Sequence, residues 1–257
     1  MIDYEKQGNV AVITINRPEA RNAVNTAVAQ GIESAIDRME ADDEVWVGIL
    51  TGSRTEKGWI FCAGADLKQV STDPRGMGTK RGGFAGIVQR ERQKPIIAAV
   101  DGPALAGGTE IALACDLLVA SRKAVFGIPE VKRNLVAAAG GLFRLPRKLP
   151  RNVAMELALT GRLDFPAERA HHFGWVNVLC EEGEALAAAK KLAAQICENA
   201  PIAVRVSRRI MLAATDQPDE VGWQLSGEGA IEVAGTEDLK EGLAAFLEKR
   251  APRWKGR

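Results

Sequence analysis

The sequence predicts an α/β protein: a largely parallel sheet with helical crossovers, followed by a helical C-terminal part. Three observations predict it. Short β-branched runs alternate with helical patterns up to about residue 130. Those runs are apolar on both faces, as strands buried between helices must be. After about residue 150 the pattern becomes mainly helical.

Taken in order, "VAVITIN" (10–16) is β-branched and ends at Arg17-Pro18, so it predicts a strand. Residues 25–40 follow turn residues and carry Val28, Ile32, Ile36 and Met39 at helical spacing, which predicts an amphipathic helix. "VWVGILTG" (45–52) is the next buried strand, and "GWIFCAGADL" (58–67) passes from an apolar strand into a small-residue turn. "KPIIAAV" (94–100), "DLLVAS" (116–121) and "AVFGIPE" (124–130) predict three more strands, the last ending at a Pro-initiated helix start. "EALAAAKKLAAQICENA" places Leu186, Ala189, Ala193 and Ile196 on one helix face, and "PIAVRVSRRIML" and "DLKEGLAAFLEKR" predict two further helices. The segment "STDPRGMGTKRGG" (71–83) holds four Gly and fits no packed element. Two readings of it are open, a surface loop or the wall of a pocket.

Composition narrows the function. The 257 residues are 46% hydrophobic and 26% charged with a net charge of +1, so nothing favours nucleic acid or a membrane surface as partner. The basic end "EKRAPRWKGR" reads either as a solvated tail or as a contact for an anionic ligand or neighbouring subunit. Cys62, Cys115, Cys180 and Cys197 form no CxxC pair and read as small core residues in a reducing compartment. With no apolar leader and no run of membrane-spanning length, a cytoplasmic protein is expected. Phosphate-loop, dinucleotide, zinc-protease and nucleophile-elbow motifs are all missing. His171 and His172 are adjacent and diverge on a helix, so no metal site is expected. Acid–base work then falls mainly to carboxylates.

One stretch stands out. "AVDGPALAGGTEIALACD" (99–116) sets Glu110 behind Gly107-Gly108, at the threshold of an apolar helix. Glycines let a ligand approach the backbone, and a helix start aims unpaired N–H groups outward with positive dipole charge. An oxyanion suits such a place. Alone, Glu110 also reads as an ordinary first-turn acid, worth about 0.3–1 kcal/mol. "WIFCAGADLK" repeats the pattern, with Ala63-Gly64-Ala65 leading to a helix start at Asp66. Glu130 follows "FGIP" at a third helix start.

In this order the three resemble the enoyl-CoA hydratase/isomerase (crotonase) superfamily, over nearly the whole chain. "NRPEARNAVN" looks like its N-terminal signature, "FCAGADLK" and "AVDGPALAGGTEIALACDLLVAS" like its two oxyanion segments, and "FGIPEVKRNLVAAAGGLFRLPR" like the segment of its second acid. "LTGRLDFPAERAHHFGWVNVL" and "KEGLAAFLEKRAP" match its C-terminal hallmarks. The resemblance implies a spiral of repeated ββα units over residues 1–199 and a helical trimerisation region over 200–257, assembled as a homotrimer or a hexamer. It implies Ala65 and Gly107 N–H as oxyanion donors to a thioester oxygen, and Glu110 and Glu130 as catalytic acids, 20 residues apart as in the hydratase branch. Ala63, Ala65, Asp66, Leu67 and Lys68, with Arg21 and Lys249, align with coenzyme A contacts. Coenzyme A enters as part of the acyl-CoA substrate, and no separate cofactor is implied.

The sequence departs from the family in three places. Ala106 replaces the first glycine of a common Gly-Gly-Gly, Glu19 replaces a usual lysine, and "KRNLVAAAGG" lacks a customary proline after Glu130. The run Ala137–Ala139 leaves room for a bulkier acyl group and is reminiscent of carnitinyl-CoA dehydratases. The expected activity is hydration of a trans-2-enoyl-CoA. A carnitinyl-CoA dehydratase-like enzyme, an enoyl-CoA isomerase and a non-catalytic acyl-CoA-binding protein are the alternatives.

Overall fold

The computed structural model describes residues 1–73 and 76–257. In chain order the elements are β1 (Ile2–Gln7), β2 (Val10–Ile15), α1 (Thr26–Ala41), β3 (Val47–Gly52), β4 (Arg54–Thr55), β5 (Gly58–Trp59), α2 (Leu67–Val70), β6 (Gly78–Thr79), β7 (Gly83–Phe84), β8 (Ile96–Val100), β9 (Ala104–Leu105) and α3 (Gly107–Ala114). The chain continues with β10 (Leu117–Ser121), β11 (Val125–Gly127), α4 (Gly141–Lys148), α5 (Arg151–Thr160), β12 (Phe165–Pro166), α6 (Ala167–His172), β13 (Val178–Cys180), α7 (Ala185–Cys197), α8 (Pro201–Ala214), α9 (Asp219–Ala234) and α10 (Glu237–Glu248).

Six strands form the main sheet in the order β1-β2-β3-β8-β10-β13. Only β1 and β2 pair antiparallel; the other neighbours are parallel. A second layer stacks short pieces from successive turns: Val24 bridges Ala65, Cys62 bridges Ala104 of β9, and β9 pairs with β11, which pairs with β12. Each turn of the chain thus gives one strand to the main sheet, one short strand to the second layer, and then a helix. This is the spiral of ββα units that the resemblance implies.

The core follows from the sequence pattern. Strands β3 and β8 are buried along their whole length, as two-sided coverage requires. Helix α1 turns Val28, Ile32, Ile36 and Met39 inward and is capped by Asn25, whose side chain accepts from Val28 N–H. Its far end is closed by buried Lys94, whose Nζ donates to the carbonyls of Met39, Glu40 and Asp42. Helix α7 covers the opposite sheet face through Ala185, Ala189 and Ala193, with Leu186 and Ile196 partly buried.

Three details differ from expectation. The end "EKRAPRWKGR" is not a free tail. It folds back on α10, where Asp238 accepts from Lys255 and Gly256 N–H, and Trp254 Nε1 donates to Glu198 O. The segment 71–83 is only partly irregular, because β6 pairs with β7 as a small hairpin; Pro74 and Arg75 lie outside the described residues. The N-terminus forms β1, an edge strand that the sequence pattern does not announce.

Candidate active site

Two turns of the spiral build the site. In the first, Val24 N–H donates to Gly64 O and Asp66 N–H donates to Val24 O. In a parallel bridge this commits the residues on either side of Ala65 and turns the N–H of Ala65 itself the other way. In the second, α3 begins at Gly107, whose N–H is one of the orphan donors of a helix start. Among the described residues, neither N–H meets an acceptor.

The two turns touch. A Cβ built on Gly64 would lie 3.2 Å from Gly107 N, 3.0 Å from Leu105 O and 2.9 Å from Ala106 Cβ. Gly64 has φ +91°, a conformation that L side chains resist. Glycine is therefore required here both for the turn and for the close approach. Gly108 is pressed as tightly, with its missing Cβ 2.1 Å from Cys62 O. Between them, Ala106 holds φ +52° and ψ −125°, a strained position for a non-glycine residue. That kink aims the start of α3 at the Gly64–Ala65 turn. Thr109 fixes the helix from behind: its hydroxyl lies 2.6 Å from Ala104 O and accepts from Gly127 N–H at 3.1 Å.

Glu110 is on the first turn of α3 and is 3% exposed. Its Oε1 accepts from Gly141 N–H at 2.9 Å, so the start of α4 reaches into the site. Burial pushes its carboxyl up to about 7; Glu130 adds to the rise, while the donors at Gly141 and Ala139 and the charge of Arg144 oppose it. Glu130 begins the short 3-10 helix Glu130–Arg133 after Pro129. Its carboxyl is also raised, by burial, against a hydrogen bond from its own backbone N–H and the charge of Arg133. Its Oε2 is buried and has no hydrogen-bond partner. The two acids lie close enough for the charge of one to act on the other.

The remaining candidates fall into two groups. Ala63 is held by the carbonyl of Arg21, to which its N–H donates at 3.2 Å, and Arg21 is exposed beside it. Leu67 and Lys68 are exposed at the start of α2. Asp66, by contrast, is committed within the protein. It caps α2 by accepting from Lys68 N–H and pairs with Arg17 at 2.7 Å, which holds its carboxyl below the usual range. Its side chain shapes the turn. Lys249 ends α10 with φ +53°, its N–H on the carbonyls of Ala245 and Phe246.

Sequence reasoning missed two neighbours. The ring of Phe84 covers Gly107: a Cβ there would be 2.4 Å from Phe84 Cε1. Arg144 is half-buried beside the turn that supplies Gly141. Neither carries a sequence signal, since both depend on a loop returning to the site. Among the described residues, no group of three His, Cys, Asp or Glu is arranged to hold a metal ion. His171 Nδ1 lies 2.8 Å from Val176 O.

Comparison with known proteins bears on the family and the fold. The chain is 38% identical to the enoyl-CoA hydratase EchA19 of Mycobacterium tuberculosis, with 98% of this chain and 96% of that protein aligned. It is 37% identical to the carnitinyl-CoA dehydratase of Salmonella typhi, over 98% of this chain and 97% of that protein. A crystal structure of an enoyl-CoA hydratase from Mycobacterium tuberculosis superposes with a TM-score of 0.93 at 47% identity, covering 100% of this chain and 99% of the other. The profile of the enoyl-CoA hydratase/isomerase family matches residues 5–257, and the chain belongs to that family.

Proposed function

We propose that the protein is an enoyl-CoA hydratase, adding water reversibly across the 2,3 double bond of a trans-2-enoyl-CoA. The observation that carries this reading is the meeting of two unpaired N–H groups, Ala65 and Gly107, on touching turns, beside two carboxyl groups, buried Glu110 and half-buried Glu130. The thioester oxygen sits between the two N–H groups. Charge grows on that oxygen as the alkene is attacked, so the bonds strengthen in the transition state; one such donor is worth about 3–4 kcal/mol.

The acids divide the proton work. Glu110 is the more deeply buried, and its carboxyl is held by Gly141 N–H from a separate segment, a donor that stabilises the anion. Glu130 Oε2 has none, which favours its neutral form. Glu110 is therefore the base that activates water toward C3, and Glu130 gives a proton to C2. A base with a carboxyl near 7 is matched to work at neutral pH.

The coenzyme A part of the substrate crosses Ala63, Leu67 and Lys68, with Arg21 at the mouth, and the reaction needs no separate cofactor. Lys249 meets the nucleotide phosphates of a neighbouring subunit. Residues 200–257 form the trimerisation region, in a trimer or a dimer of trimers. In support, Trp223, Ile231, Phe246 and Leu247 are 76–81% exposed in the single chain. Four free cysteines fit a reducing, cytoplasmic setting, and among the described residues no helix is long and apolar enough to cross a membrane.

A second reading, dehydration of a substituted hydroxyacyl-CoA, is favoured by Leu135 and Val136, 49% and 68% exposed beside the small run Ala137–Ala139. A panel of enoyl- and hydroxyacyl-CoA thioesters decides between them. Glu110→Gln and Glu130→Gln are each expected to lower turnover by orders of magnitude. Near-wild-type turnover in either variant would overturn the assignment.

A further inference from the structure

Arg144 is an unusual charge. Its guanidinium is half-buried on α4, and among the described residues no carboxylate lies within ion-pairing distance of it. Its two cationic neighbours are both answered. Arg92 pairs with Asp116 at 3.0 Å, and Arg147 pairs with Asp216 at 2.9 Å. Arg144 instead spends its fork on two carbonyls: Nη2 donates to Val88 O at 2.6 Å and Nη1 to Ala139 O at 3.3 Å. The second bond holds the turn Ala139–Gly141 whose last N–H reaches Glu110. The guanidinium also fills the space over Gly140, where a Cβ would lie 2.3 Å from Nη1.

We propose that Arg144 is a positioning residue for Glu110, clamping the Ala139–Gly141 turn against Val88 and serving as the through-space counter-charge that keeps the Glu110 carboxylate ionised. The charges around the pair are few. Glu110 faces Glu130 and Arg144; Arg144 faces Glu110, Arg92, Arg147 and the Cys115 thiol, which burial keeps neutral. Helix α4 contributes Arg147 and Lys148 as well, both solvent-exposed; α5, packed against α4, contributes exposed Arg151, and also Glu156, which is paired with Arg162 and Arg169; and β9 contributes no charged side chain. An unanswered buried cation is costly unless an anion shares its field. The charge of Glu110 acts on Arg144 across the turn. The pair is separated by the turn rather than joined, so Glu110 keeps a free oxygen for proton transfer.

The base role of Glu110 rests on the hydratase reading, but the test does not. In the full-length protein with 13C-labelled glutamate, the Glu110 carboxyl is assigned by its loss in Glu110→Gln and titrated by NMR. Arg144→Gln keeps a donor and removes the charge; it is expected to raise the proton affinity of Glu110 about tenfold. Arg144→Lys keeps the charge and loses the fork; it is expected to leave the titration near wild type while amide exchange at Gly141 accelerates. An unchanged titration in the Gln variant overturns the counter-charge, and unchanged exchange in the Lys variant overturns the clamp. If the Gln variant does not fold, Arg144→Met, neutral and of similar length, takes its place in the titration, and the Lys variant still decides the clamp, because a merely structural arginine would shift its melting temperature without selectively exposing Gly141. In wild-type turnover the acid limb of the pH profile follows the Glu110 titration. A wild type that hydrates no enoyl-CoA, with the titration still moving, refutes the hydratase reading and leaves Arg144 standing.

Discussion

Gly64→Ala is the most direct test of the oxyanion geometry, because the methyl group enters the seam between the two donor turns. Three contacts await it: Ala106 Cβ at 2.9 Å, Leu105 O at 3.0 Å and Gly107 N at 3.2 Å. Two of those atoms are backbone and have no rotamer by which to yield. The φ of +91° adds strain of about 1–3 kcal/mol, and overpacking adds a similar amount. A loss near 3 kcal/mol would lower the melting temperature by about 6–12 °C. The larger effect falls on turnover. Relief of the contacts requires the Gly64–Ala65 turn to move away from Gly107, and a displaced donor costs about 10²–10³ in kcat. KM should change little, since the coenzyme A part binds outside the seam. Loss of enoyl absorbance gives kcat and KM, and calorimetry gives the melting point. A folded Gly64→Ala enzyme with wild-type kcat would show that Ala65 and Gly107 do not share one oxygen.

Two further substitutions bear on the same region. Ala106→Gly removes strain at φ +52°, ψ −125°, partly offset by the greater freedom of glycine in the unfolded chain; a stabilisation of about 1 kcal/mol is expected in urea melts, and a loss of stability would show the kink to be unstrained. Glu110→Gln should make stability less sensitive to pH. The folded carboxyl is raised to about 7 from 4.5, so the native wild type holds an extra proton between those values. Its stability is full below pH 4.5 and falls as pH rises through 7, by up to about 3 kcal/mol. The Gln variant has no such loss, so its advantage should grow between pH 5 and pH 8; a gap independent of pH would mean that Glu110 titrates normally.

The parts of this molecule visible in its sequence are those where local chemistry and position coincide. Strand β3 is a continuous apolar run, and α1 repeats its apolar residues at helical spacing, so each declares itself. The glycines at 64, 107 and 108 mark close approach of backbones, though not which backbones meet; only the spiral brings Gly64 onto Gly107. Strand β1, reading IDYEKQ, is an edge strand with mostly exposed side chains and has no apolar face to betray it. The Gly8-Asn9 pair after it is the one turn signal available. Helix α9 contains Gly222, Gly227 and Gly229, which depress helix propensity, and its apolar residues face outward in the single chain. Asp66 reads as a ligand contact until Arg17, distant in sequence, is found paired with it.

A carboxylate at the start of a buried helix needs a reason, because the dipole alone would be satisfied by an exposed acid. The helix start offers Gly107 N–H to an oxygen, and Glu110 follows on the same turn, so one rigid element positions both the proposed oxyanion donor and the proposed base. Burial that would neutralise Glu110 is countered from a different turn of the spiral, through Gly141 N–H and the field of Arg144. Glu130, arriving on a third segment, has its own backbone N–H and the charge of Arg133 to favour its anion, while its Oε2 has no partner. The division of proton work proposed for these two similar side chains therefore rests on which donors face each of them. Exchanging the donors, rather than the acids, is the change that would reverse their roles.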